Sequence, residues 1–131
     1  MKECLFILFC FFILLGCEPE YHPYENRVKT KDINGRNVEK LLFAAKNQDT
    51  LLIPFITDTQ RALDETRGIV NNINDNTNAD FVIHGGDLTQ FGLEEEFEWK
   101  NKILSELEAP HVTVVGNHDL LGNGEGIHKH Y

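Results

Sequence analysis

Four side chains that could bind a metal ion or move a proton follow three short apolar segments of the sequence. Asp58 follows the segment 51–57, Asp87 follows the segment 81–83, and Asn117 and His118 follow the segment 112–115. Carboxylate and amide oxygens are hard ligands that suit Mg²⁺, Mn²⁺ or Fe, and a carboxylate can bridge two cations. An imidazole beside such a centre can act as a general acid. The residue types and their spacing therefore favour a metal site.

The segments that precede these residues are typical of strands in a parallel sheet. Short, nearly all-apolar runs indicate strands that are covered on both faces. Pro54 indicates that the first strand starts there or lies near an edge, because proline has no N–H to donate. Apolar residues at helical spacing predict helices over about 60–74 and about 93–107, and the segment 38–45 is either a strand or a short helix.

The predicted order of strand, helix, strand, helix and strand is a βαβαβ unit with parallel neighbours. Sites in such open α/β sheets lie outside the carboxyl ends of the strands. We therefore expect Asp58, Asp87, Asn117 and His118 to meet at one edge of the sheet.

Three short motifs carry a family resemblance. The chain resembles the calcineurin-like metallophosphoesterases in their first three signature blocks, here Asp58-Thr59-Gln60, Gly86-Asp87 and Gly116-Asn117-His118-Asp119. The blocks occur in the right order over about 58–119, with a predicted helix between successive blocks. The resemblance implies an α/β fold in which this βαβαβ sheet is one half of an αββα sandwich. It also implies a hydrolase that uses two divalent metal ions (Mn, Fe, Mg or Zn) to direct water at a phosphomonoester or phosphodiester.

The resemblance also implies a role for each matching residue. Asp58 would bind the first metal ion, Asp87 would bridge both ions, and Asn117 would bind the second. His118 would stabilise the phosphoryl transition state or protonate the leaving group, and Asp119 would orient its ring.

Two features depart from the family pattern. Gln60 stands where the first block usually has histidine, so Gln60 is either a weaker metal ligand or a group beside one. The family also needs later histidine blocks, and the sequence stops at Tyr131. We therefore expect a truncated, N-terminal portion of such a domain with weak or no turnover. The alternative is a non-catalytic, lipid-anchored envelope protein that retains a partial metal site.

Several other residues are predicted to be structural. His84 is expected to be a hydrogen-bonded histidine at a strand end, and Trp99 is expected to pack rather than to stack on a substrate. His128 and His130 are expected to lie in a loop.

The N-terminus predicts export. The twelve residues from Cys4 to Leu15 are almost all apolar, and as a helix they would span about 18 Å, too short for a hydrocarbon core of ~30 Å. Residues 1–16 are therefore interpreted as a signal peptide. The sequence Leu14-Leu15-Gly16-Cys17 resembles a bacterial lipobox, which implies a lipid on Cys17. We expect a protein anchored by this lipid to a membrane of the bacterial cell envelope, periplasmic or surface-facing.

Composition limits the remaining possibilities. The 131 residues suffice for one ordinary domain. We divide the chain into the signal peptide, a polar tether over 17–37 and the domain portion over 38–131. Twelve Lys and Arg against 21 Asp and Glu give a net charge of −9, so no binding to a nucleic-acid backbone is expected. After processing, Cys17 would be the one remaining cysteine, which excludes an internal disulfide.

Overall fold

A computed structural model describes residues 29–46 and 48–131. The predicted signal peptide, the lipidation site at Cys17 and the tether up to residue 28 lie outside the described residues and stay predictions. Within the described ranges, no helix has both the length and the apolar character needed to cross a membrane.

Three parallel strands form a small sheet whose order follows the chain. The elements in sequence are α1 (Ile33–Ala45), β1 (Phe55–Ile56), α2 (Leu63–Asn76), β2 (Val82–His84), α3 (Glu94–Leu104), β3 (His111–Thr113), a 3₁₀ turn (His118–Leu120) and α4 (Gly124–His128). Ile83 is the central register residue, paired with Phe55 on one side and Val112 on the other. The predicted α/β fold with a βαβαβ order is confirmed.

Strand β1 is shorter than the apolar segment that predicts it. Pro54 has no N–H, so the regular strand begins only at Phe55. The carbonyl groups of Leu52 and Pro54 still accept hydrogen bonds from the N–H groups of Asp80 and Ile83, both at 3.0 Å. Strand β1 lies at one edge of the sheet, so the missing N–H of Pro54 does not deprive a neighbouring strand of a hydrogen-bond donor.

Helix α1 covers the opposite edge of the sheet, beside β3. The Asn34 amide donates to the Thr113 carbonyl and accepts from the Thr113 N–H, both at 2.8 Å. The Asn37 amide donates to the His111 carbonyl at 2.8 Å. These side chains make the hydrogen bonds that a neighbouring strand would make, so the backbone groups of Thr113 and His111 at this edge have partners. The segment 38–45 is therefore helical, and its helix begins at Ile33, inside the range predicted as a tether.

Two apolar clusters hold the layers together. One joins α2, α3 and the turn after β2, and consists of Val70, Leu88, Ile103 and Leu104. The other joins α1, α3 and the end of the chain, and consists of Ile33, Phe97, Ile127 and Tyr131.

The second cluster corrects the prediction for His128. The residue closes α4, where its ring stacks on Tyr131 with centroids 5.8 Å apart, and does not lie in a loop. A helix of five residues is too short to leave a periodic signal in the sequence. Its formation follows from the burial of Ile127 and Tyr131 against Phe97.

Candidate functional site

The turns after β1 and β2 share an unusual backbone conformation. Asp58, Gln60 and Asp87 have positive φ angles of 57°, 31° and 55°. L-amino acids rarely adopt this left-handed region, although Asp tolerates it better than most. Two backbone hydrogen bonds join the turns, from Asp58 N–H to the Gly86 carbonyl at 3.1 Å and from Gln60 N–H to the Asp87 carbonyl at 2.9 Å. Strain of this kind concentrates at functional sites, where surrounding structure maintains it.

The turns after β2 and β3 touch through a glycine. A Cβ atom on Gly116 would lie 2.1 Å from Asp87 Oδ1 and 2.3 Å from Asp87 N, so only glycine fits without a backbone shift. The Asp87 Oδ1 atom also accepts a hydrogen bond from the His118 N–H at 2.9 Å. The structure therefore brings Asp58, Asp87 and His118 to one edge of the sheet, as the strand order predicts.

The oxygen-bearing side chains at this edge suit a hard divalent cation. Asp58, Gln60, Asp87 and Asn117 offer two carboxylates and two amides, and such oxygens are the ligands that Mg²⁺ and Mn²⁺ accept. The Gln60 amide nitrogen donates to Asp58 Oδ1 at 2.9 Å. Within the described ranges, His, Cys, Asp and Glu side chains do not form a group of three or more that could hold a metal ion. A cation at this edge would therefore depend on amide oxygens as well as on the carboxylates.

The ring of His118 is held by Gln90. His118 Nδ1 lies 3.0 Å from the Gln90 backbone carbonyl. A carbonyl only accepts, so this contact, shorter than the 3.4 Å between Nδ1 and the Gln90 amide nitrogen, favours a proton on Nδ1 and leaves Nε2 for a substrate. The predicted orienting role of Asp119 is therefore corrected, because the ring contact belongs to Gln90. Every residue has a backbone carbonyl, so the residue type does not predict this contact. The one indication in the sequence is that Gln90 lies three residues after Asp87.

Asp119 has a different task. Its fully buried carboxylate accepts hydrogen bonds from Leu88 N–H at 3.2 Å, Thr89 N–H at 2.8 Å, the Thr89 hydroxyl at 2.8 Å and Gly116 N–H at 3.0 Å. We call Asp119 and its partners Leu88, Thr89 and Gly116 the Asp119 clasp. The clasp ties the turn after β2 to the turn after β3, so it fixes the backbone that carries Asp87 and His118.

A buried histidine supports the β1 turn, which we define as Asp58, Thr59 and Gln60. His84 is fully buried, and its Nδ1 atom lies 3.3 Å from the Gly86 N–H, which can only donate. The Nε2 atom therefore carries the proton and donates to the Thr59 hydroxyl at 2.9 Å. Burial, together with the nearby Lys100 ammonium, lowers the pKa of His84 to about 4. The prediction of a hydrogen-bonded structural histidine is confirmed.

A buried lysine lies under the same turn. Lys100 is fully buried, and its ammonium donates to the Thr66 hydroxyl at 2.9 Å and to the Thr59 carbonyl at 3.4 Å. Burial lowers the pKa of Lys100 to about 8, against the opposing effect of Asp119. No motif of the sequence marks this residue. Its spacing from Phe97 and Leu104, which are also buried, is the signal that places it on the inner face of α3.

Trp99, which is expected to pack rather than to stack on a substrate, is not buried. Its side chain lies on α3 with 54% of its surface exposed, beside Gln60 at the rim of a pocket. Lys100 takes the neighbouring inward position instead.

Comparison with known proteins gives one match. A family model described as calcineurin-like phosphoesterase matches residues 51–131, a range that contains β1, β2, β3 and all three strand-end turns. Neither the curated proteins nor the solved structures yield a match.

Proposed function

Because the chain belongs to the calcineurin-like phosphoesterase family, we propose that it is a metal-dependent phosphoric ester hydrolase. The observation that carries the proposal is the contact between the turns after β2 and β3. There the Asp87 carboxylate accepts the His118 N–H while Gly116 packs directly against it. This contact places a candidate metal ligand next to a candidate proton donor.

The metal ions would be held by Asp58, Gln60, Asp87 and Asn117. Two divalent cations in such a site act as Lewis acids on the phosphoryl oxygens and lower the pKa of the attacking water. Asp58 and Asp87 share the left-handed backbone conformation, each in the turn that follows its strand.

His118 is the residue that would move a proton. Its Nδ1–H is committed to the Gln90 carbonyl. Its Nε2 atom is thus the one left for the substrate, and as the imidazolium, with a proton on both ring nitrogens, the ring would deliver the Nε2 proton to the leaving oxygen or stabilise charge on the phosphoryl group. The Asp119 clasp holds the backbone of His118 in place without touching the ring.

The test is hydrolysis of bis(4-nitrophenyl) phosphate with and without Mn²⁺. We expect Mn²⁺-dependent release of 4-nitrophenol that Asp87→Asn abolishes and that His118→Gln lowers by about 100-fold or more. The matched control is Asp64→Asn, whose carboxylate is 99% exposed on α2 and outside the site. Equal rates in Asp87→Asn and Asp64→Asn would contradict the proposal.

One observation favours a second candidate function, a non-catalytic envelope protein with a partial metal site. In the part of the chain that the structure describes, His, Cys, Asp and Glu side chains do not assemble into a group of three at the sheet edge. On this reading the protein binds Mn²⁺ through Asp87 in calorimetry and releases no 4-nitrophenol. Turnover that depends on Asp87 would exclude it.

We further propose that a lipid on Cys17 anchors the protein to a membrane of the bacterial envelope. The apolar run from Cys4 to Leu15 and the sequence Leu14-Leu15-Gly16-Cys17 support this proposal. Its partners would then be the membrane and a phosphate ester, and the net charge of −9 argues against a nucleic-acid backbone. Metabolic labelling with a palmitate analogue should mark the wild type and Cys10→Ser but not Cys17→Ser. Labelling of Cys17→Ser would contradict the anchor.

A further inference from the structure

A pocket of about 150 Å³ opens beside the β1 turn. Gln60, Arg61 and Leu63 line one side of it, and Glu96 and Trp99 of α3 line the other. Gln60 belongs both to this pocket and to the candidate metal site. A molecule whose phosphate lies at the sheet edge could therefore extend into the pocket.

Trp99 presents an aromatic face at this pocket. Its side chain is 54% exposed, while its helix neighbours Phe97 and Lys100 are fully buried. Those two buried side chains fix the rotation of α3, so the indole is held at the surface. A planar ring can stack on an exposed indole. Stacking of a nucleobase on an aromatic side chain is favourable whichever base it is.

Arg61 brings an uncommitted positive charge to the same pocket. Among the residues that the structure describes, its guanidinium has neither an ion pair nor a hydrogen bond. Arg67, by contrast, lies 3.8 Å from an Asp64 oxygen and 3.5 Å from a Glu106 oxygen. Guanidinium groups match phosphate oxygens in geometry and in charge.

Glu96 does not neutralise Arg61. Its Oε2 atom accepts hydrogen bonds from the Phe91 N–H at 2.9 Å and the Leu93 N–H at 3.3 Å, which satisfies the start of α3. The Oε2 atom of Glu96 is thus held by backbone N–H groups, and the Arg61 guanidinium across the pocket forms no ion pair with this carboxylate.

We propose that this pocket is a substrate subsite for phosphate esters that carry a planar aromatic ring, of which nucleoside monophosphates are the biological class. Trp99 stacks on the ring and Arg61 binds a phosphate oxygen. The proposal rests on the proposed hydrolase function, whose reacting phosphate would lie at the adjoining sheet edge.

The single tryptophan of the chain makes the test direct, because Trp99 is the only indole that can report. Purified protein is titrated with adenosine 5′-monophosphate, ribose 5-phosphate and adenosine while tryptophan fluorescence is followed. We expect saturable quenching by adenosine 5′-monophosphate, weaker binding of adenosine and no quenching by ribose 5-phosphate. Quenching that is absent with adenosine 5′-monophosphate, or equal for it and ribose 5-phosphate, would overturn the subsite.

Matched variants separate the two contacts. Arg61→Gln should weaken adenosine 5′-monophosphate by about threefold to tenfold and leave adenosine unchanged, while Arg67→Gln should change neither. Calorimetry replaces fluorescence for Trp99→Leu, which should weaken both ligands by about fivefold or more. Phe43→Leu is its control, because Phe43 is an exposed aromatic on α1. Equal effects of Arg61→Gln and Arg67→Gln would contradict the phosphate contact.

The subsite and the proposed function can fail separately. Binding through Trp99 and Arg61 does not need the metal ligands, so Asp87→Asn should still show the quenching. Quenching without any Mn²⁺-dependent hydrolysis would reject the hydrolase and keep the subsite. Hydrolysis without quenching would keep the hydrolase and reject the subsite.

Discussion

The two sides of the candidate site are built in opposite ways. On the β3 side, the buried Asp119 carboxylate accepts four hydrogen bonds and locks the turns that carry Asp87 and His118. On the β1 side, the side chains of Asp58 and Gln60 lie at the surface and bond to each other. The residue proposed to move a proton and the two proposed metal ligands of the β1 turn therefore receive different support. The hydrogen bonds of the clasp fix the backbone beside His118, whereas Asp58 and Gln60, the proposed ligands of the β1 turn, are free to adjust to what binds.

What lies beneath the two sides differs as well. The clasp centres on the Asp119 carboxylate, whereas the β1 turn rests, through Thr59, on the neutral His84 and the Lys100 ammonium. Each support uses a group that would be costly to bury alone, and each satisfies it with hydrogen bonds. The β1 turn should respond to pH through His84 and Lys100, because the pKa of His84 is lowered to about 4 and that of Lys100 to about 8.

The largest expected effect is the loss of the clasp in Asp119→Ala. Removal of the carboxylate leaves two buried N–H groups, the partly buried N–H of Gly116 and the Thr89 hydroxyl without their acceptor, so we expect the free energy of unfolding to fall by about 3–5 kcal/mol. The control is Asp64→Ala, which is 99% exposed and should change stability by less than about 0.5 kcal/mol. Urea unfolding followed by circular dichroism measures both. Equal unfolding midpoints in the two variants would remove the distinction between the sides.

A slightly smaller effect is expected from acid. The pKa of His84 is lowered to about 4 in the fold, so between pH 6.5 and 4 the unfolded chain binds a proton that the folded chain does not. Stability should therefore be full above pH 6.5 and fall as the pH drops towards 4, by about 3 kcal/mol for His84 alone.

His111 contributes a second share to this acid sensitivity. Burial, together with Lys40, lowers its pKa to about 4 as well. The variants His84→Gln and His111→Gln separate the two contributions to the pH dependence of the unfolding free energy. Urea unfolding from pH 7 to 4 should show a smaller pH dependence in His84→Gln than in the wild type. A slope that is unchanged in both variants would show that neither histidine is the source.

The third effect concerns the contact between the turns after β2 and β3. Gly116→Ala adds a methyl group where the Asp87 backbone and carboxylate already lie, so we expect a loss of about 1–3 kcal/mol in unfolding free energy and weaker Mn²⁺ binding. Gly68→Ala is the control, because no atom lies within 4 Å of the added methyl on α2. That control should stabilise the helix by roughly 0.5–1 kcal/mol. Stabilisation by both substitutions would show that the turns are not in close contact.

The sequence predicts the framework of this molecule well. The strand and helix order follows from the spacing of apolar residues, and three polar strand ends meet because parallel strands share a carboxyl edge. The start of α1 is not predictable in the same way. It depends on Asn34 and Asn37 reaching the edge of β3, contacts that span 79 and 74 positions of the chain.

The supports of the site escape prediction for a related reason. Asp119 and His118 have backbone groups as partners, and every residue type supplies those groups, so no letter of the sequence marks them. Trp99 and Lys100 are neighbours on an amphipathic helix whose rotation decides which one is buried. Lysine is normally exposed and tryptophan normally buried, so composition alone assigns the two residues the wrong way round.

The smallest effect on stability, and the sharpest test of an adjustable β1 side, is Gln60→His. The residue is partly exposed with φ 31°, a region in which histidine is better tolerated than most residues, so stability should change by less than about 0.5 kcal/mol. The substitution replaces an amide that donates to Asp58 with an imidazole that can ligate a divalent cation. We therefore expect tighter Mn²⁺ binding in calorimetry, with no gain in Gln48→His, which adds an imidazole to an exposed position outside the turn. An unchanged Mn²⁺ affinity in Gln60→His would mean that this turn is as fixed as the clasp and does not adapt to a new ligand.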